Sequence, residues 1–69
     1  MVKWSADFVN DPDNDFNIVL EILHNEKEIG VIKKNDNNLE ITFYPQDQNL
    51  TIPGVWLLDL IKEAQKKLD

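Results

Sequence analysis

Residues 16–34, FNIVLEILHNEKEIGVIKK, decide how this chain folds. Phe16, Ile18, Leu20 and Ile22 alternate with Asn17, Val19, Glu21 and Leu23, the period of two that marks a β-strand over residues 16–24. Both sides of this strand are apolar near its middle, which places it centrally in a sheet. Asn25-Glu26 reads as a two-residue turn leading into a strand over residues 27–34. A regular hairpin about that turn sets His24 opposite Lys27, Ile22 opposite Ile29 and Leu20 opposite Val31, with the apolar partners on one inner face. Gly30 then falls on the outer face, where it permits a bulge or a close backbone approach.

Upstream, Val2, Trp4, Ala6 and Phe8 alternate with Lys3, Ser5 and Asp7, which predicts a first strand over residues 2–9 with its apolar side inward. Residues 10–15, NDPDND, are all turn formers and separate it from the second strand. Downstream, residues 39–44 form a fourth strand that ends at Pro45, which has no N–H to donate to a ladder. The loop between the third and fourth strands, NDNN over residues 35–38, controls which way the fourth strand faces. A four-residue loop pairs Ile41 with Ile32 and turns Leu39, Ile41 and Phe43 outward. Keeping them inward requires a loop of three or five residues, with Val31 opposite Ile41 and Asn37 or Asn38 in the left-handed conformation. An odd loop is therefore expected here.

The remaining apolar pattern is helical. Leu57, Ile61, Ala64 and Leu68 recur at intervals of four, three and four residues, and Leu58 and Leu60 widen the stripe. Thr51 and Pro53 mark its start, and Lys62, Lys66 and Lys67 suit the negative end of its dipole. The predicted fold is α+β: a four-stranded antiparallel β-meander, ordered 1-2-3-4, with one C-terminal α-helix packed on its inner face. Pairing of strand 1 with strand 4 is the alternative order. Residues 1–69 form a single domain, a size at which the large apolar side chains are needed for the core.

Thirteen acidic residues oppose seven basic ones, giving a net charge of −6, and every basic residue is a lysine. That balance repels a phosphate backbone, and no arginine fork is present to read phosphate or guanine, so direct nucleic-acid binding is not expected. The same charge favours a basic protein partner. There is no cysteine, hence no disulfide or thiolate chemistry. No apolar run reaches the length of a signal peptide core or a membrane span, and the expected location is cytoplasmic.

Chemistry-bearing residues are few. His24 and Ser5 are the single histidine and serine, and two isolated glycines cannot build a phosphate loop. His24 flanks a turn and is expected to face solvent. Asp11, Asp13 and Asp15 occur at the alternate positions of a calcium loop, but Phe16 and Ile22 occupy the places of its glycine and bidentate glutamate. The loop is a weak metal candidate, and no cofactor is expected. On the regular register, Val19, Leu23, Ile32 and Tyr44 form an apolar cluster on the outer sheet face, rimmed by Glu21, Glu28, Glu40 and Lys34, and Trp56 lies at the edge of the helical stripe. These five residues are the expected partner-binding set, set against core edge as the first role of Trp4 and Trp56 and plain strand preference for the sheet residues, with a homodimer through the same face as a further use.

The functional expectation is a small non-enzymatic protein-binding domain, such as an inhibitor or immunity-type protein that presents carboxylates to a basic partner. The alternative is a small enzyme or divalent-metal-binding domain using the Asp11–Asp15 loop. Acidic strands followed by one helix resemble the layout of bacterial immunity proteins and antitoxins, without a motif that assigns a family.

Overall fold

The computed structural model describes residues 3–68. Strands β1 (Trp4–Asp11), β2 (Asn17–His24), β3 (Lys27–Asn35) and β4 (Asn38–Phe43) form one antiparallel sheet in the order β1-β2-β3-β4, followed by helix α1 (Gly54–Lys67). A short 3-10 turn, Pro12–Asn14, joins β1 to β2. This is the ββββα meander expected from the alternation, with β1 on β2 and not on β4. Val2, assigned above to the inner face, lies outside the described residues. Among those residues no helix is long and apolar enough to cross a membrane.

The β2–β3 turn behaves as read: Asn25 and Glu26 both take positive φ, 51° and 71°, as a type I′ turn requires. Asn25 also ties the start of the chain to this turn, donating its N–H to the Lys3 carbonyl and accepting the Lys3 N–H on Oδ1, each at 2.8 Å. His24 pairs with Lys27, but the ladder then departs from the regular register. Leu23 pairs with Glu28 and Ile22 with Gly30, leaving Ile29 as an extra residue on β3. This is a β-bulge, which shifts every later residue of β3 by one position relative to β2. Leu20 therefore meets Ile32, not Val31, and Gly30 lies on the inner face, not the outer one.

The β3–β4 connection is correspondingly even. Asn35 pairs with Asn38 across a two-residue turn, Asp36 supplies the positive φ at 58°, and Ile32 pairs with Ile41. The predicted odd loop, with Val31 opposite Ile41, is thus not formed. One odd residue is nevertheless needed to keep both hairpins apolar on one face, and it resides in the β2–β3 ladder instead of the β3–β4 loop. Both Ile29 and Ile32 reach the helix side, and Val31 is turned to the other side.

The core lies between α1 and the inner sheet face. Leu20, Ile22, Ile29, Ile32, Ala64 and Leu68 are buried together, with Trp4, Ala6, Leu39, Leu50, Trp56 and Leu60 packed around them. The central helical row is Trp56, Leu60 and Ala64, each one turn apart, so the stripe is rotated towards Trp56 from the row expected through Leu57 and Ile61. Leu58, placed in the stripe above, is about half exposed. The helix begins after Pro53, whose fixed φ suits a helix start; Thr51 lies outside it and does not cap it.

Gly30 fixes how closely β4 and its Phe43 ring approach. A Cβ built at Gly30 would lie 2.8 Å from the Thr42 carbonyl oxygen and 3.0 Å from Phe43 Cδ1. One contact is backbone, so the ladder itself must move to relieve it. Gly30→Ala is expected to lower stability by about 1–3 kcal/mol, the range for overpacking a close-packed site. Urea denaturation measures this, and an unchanged midpoint would show that the approach is looser than described.

Candidate functional site: an acidic cup on the open face of the sheet

The face of the sheet turned away from α1 has no covering layer among the described residues. Its side chains follow from the register. Asp7 pairs with Glu21, Glu21 with Val31 and Val31 with Thr42, forming one row across all four strands. Val9 pairs with Val19, Ser5 with Leu23 and Leu23 with Glu28 in flanking rows. Val19 and Val31 are buried although no helix covers them, at 2% and 4% exposure, because neighbouring side chains wall them in.

The result is a cup of about 230 Å³, lined by Val9, Val19 and Val31 together with Asp11, Asp13, Glu21, Glu28, Lys33 and Tyr44, with Asn10 and Pro12 at the end of β1. The 3-10 turn forms one wall. Asp11 starts that turn, its Oδ1 accepting the Asp13 N–H at 3.0 Å, while its Oδ2 lies 3.7 Å from Lys33 Nζ. Asp15 and Phe16 close the turn with positive φ, 55° and 59°, and the Phe16 N–H returns to the Asp11 carbonyl at 2.8 Å. Phe16 therefore belongs to the turn and is exposed; it does not extend β2.

Electrostatics single out Glu21. Its carboxyl pKa is raised, first by burial, then by a hydrogen bond to Glu28 that only a protonated acid can donate, then by the charges of Glu28, Asp7 and Asp11. The Tyr44 phenol is likewise raised, first by burial and then by Glu28, Asp11 and Glu21. Both shifts report one condition: negative charge crowded around a partly dry floor.

Of the five residues expected to bind a partner, Val19 and Tyr44 line the cup, and Leu23 lies on the same face, half-buried between Ser5 and Glu28. Ile32 does not. The Ile29 bulge turns it to the helix side, where it is fully buried with Leu20 and Ala64. Trp56 is also on the helix side, its ring 5.7 Å from that of Trp4 and packed against the core. His24 joins that stack at 4.7 Å from Trp4 and is half-buried, not solvent-facing as expected.

Val31, Val9 and the lysine–aspartate contact are the members that the regular register missed. Among the described residues, no group of three or more His, Asp or Glu side chains is placed to hold a metal ion. Asp11, from the loop considered above, is instead engaged by its own turn and by Lys33. No family model, curated protein or solved structure matches the chain.

The Glu21 shift has a definite sign. Its folded pKa lies above the ordinary 4.5, so the native state holds the extra proton and stability falls as pH rises from 4.5 through the folded value. Glu21→Gln removes this loss. The variant is expected to be more stable than the parent at pH 7, with the advantage shrinking as both are brought below pH 4.5. Thermal melts across that range read the effect, and a variant less stable at neutral pH would contradict the crowding.

Proposed function

We propose that this chain is a non-enzymatic binding domain that receives a basic protein partner on the open, acidic face of its sheet. The observation that carries the reading is the cup: valines at the floor, carboxylates at the wall, and a Glu21 pKa raised first by burial and then by its acidic neighbours. A lysine or arginine side chain matches both parts. Its methylene stem covers Val9, Val19 and Val31, and its charged head reaches Glu21, Glu28 and the Tyr44 hydroxyl. A cation arriving there relieves repulsion that the free domain carries, so binding energy comes partly from a strained electrostatic ground state.

A partner whose own working surface is basic because it handles nucleic acid fits this face, with carboxylates standing where phosphates would lie. This is the inhibitor or immunity-type version of the reading. The net charge of −6 adds long-range attraction and faster encounter.

A peptide alternating lysine and valine serves as a probe. Titration followed by NMR is expected to shift Val9, Val19, Val31 and Tyr44 first and to saturate, with affinity falling as salt is added. Glu21→Gln combined with Glu28→Gln should weaken binding by about 3- to 30-fold, from two partly screened charge contacts. Shifts scattered over the helix acids, or affinity unaffected by the double substitution, would overturn the assignment.

A further inference from the structure

The two edges of the sheet are treated differently. The β1 edge carries Asp7 and Asp11 and runs into the 3-10 turn, devices that discourage another strand from pairing there. The β4 edge carries a single charge, Glu40; no proline or lysine lies within Asn38–Phe43 and its ladder with β3 is regular. Asn35 and Asn38 bracket a two-residue turn, and the Tyr44 N–H reaches the Ile29 carbonyl at 2.8 Å. By the alternation of an antiparallel ladder, residues 38, 40, 42 and 44 use their backbone groups towards β3, and Leu39, Ile41 and Phe43 direct theirs outward.

The same three residues carry the apolar side chains at this edge. Ile41 and Phe43 remain 37% and 47% exposed, while the helix sets Lys67 over the Phe8 ring at 5.0 Å and Trp56 against Trp4 on the β1 side. Between β4 and the helix runs a groove of about 540 Å³ lined by Leu39, Ile41, Ile61 and Gln65, with Lys34 at one end.

We infer that a second copy of this chain pairs here, β4 against β4, antiparallel about a two-fold axis at Ile41. Charge and shape single out this occupant. With Ile41 opposite its own copy, Leu39 meets Phe43 and Glu40 meets Thr42, so no like charges face one another across the new ladder. Glu40, the one charged residue of β4, is already opposite Lys33 within its own chain. The apolar residues continue the inner face across both copies. Self-association through the acidic face, in contrast, would press Glu21 and Glu28 against their own copies. Pairing at β4 leaves both cups open, and this inference does not depend on what they bind.

Light scattering after size exclusion tests it. The parent is expected to show twice the 8.1 kDa chain mass, dissociating on dilution. Ile41→Lys, which sets two cations face to face on the axis, should give the monomer mass with an unchanged far-ultraviolet spectrum. Thr42→Glu, on the exposed side and opposite Glu40 of the copy, should also weaken the dimer and provides the reading if Ile41→Lys fails to fold. A parent that stays at 8.1 kDa up to millimolar concentration, or a dimer that survives both substitutions, would overturn the inference.

Discussion

One extra residue in the β2–β3 ladder, Ile29, determines which side of the sheet every later side chain occupies. Side chains alternate along a strand, so one added residue exchanges the faces of all that follow. The exchange moves Ile32 into the core with Leu20, Ile22, Ala64 and Leu68, and moves Val31 to the floor of the acidic cup. It also lets an even, two-residue turn at Asp36-Asn37 bring Leu39, Ile41 and Phe43 to the helix side. Core and cup are consequences of the same bulge.

The bulge works because of its neighbour. Gly30 has no side chain to occupy the inner face opposite Ile22, and the space it leaves admits Phe43 from β4. Ile29 supplies the apolar volume that Gly30 lacks, buried at the same level of the core. Across these 69 residues the interior is small, and the described residues include no buried polar or charged side chain. Negative charge is instead gathered on the face with no covering layer, where burial beside the valines and the neighbouring Glu28 raise the Glu21 pKa. Stability and the proposed recognition of a cation therefore meet at the same carboxylates.

Strand number, order and the packing of one C-terminal helix were legible because they rest on long, clear periods: alternation in residues 16–24, and four- and three-residue spacing from Leu57 to Leu68. The apolar run Ile29-Gly30-Val31-Ile32 has no period to read, since each member could face either side, and the regular hairpin was the simplest assignment. The requirement for an odd residue was visible from the fourth strand, whose apolar positions demanded it. Its location was not, because turn residues at 35–38 admitted an odd loop as readily as Gly30 admitted a bulge. The error at Ile32 follows directly, and so does the absence of Val31 from the expected site. Trp56 was legible as a core-edge residue and packs as one against Trp4 and the core, although helical spacing gives a face but not which edge of it the sheet will meet.

The register is open to direct measurement by cross-strand NMR contacts between α-protons, which are short only between residues at non-hydrogen-bonded positions of an antiparallel ladder. With Ile29 bulged, strong contacts are expected between Ile32 and Ile41 and between Glu21 and Val31. A contact between Glu21 and Gly30, with Ile41 opposite Val31 in place of Ile32, would mean that the hairpin is regular and would contradict both the core and the cup described above.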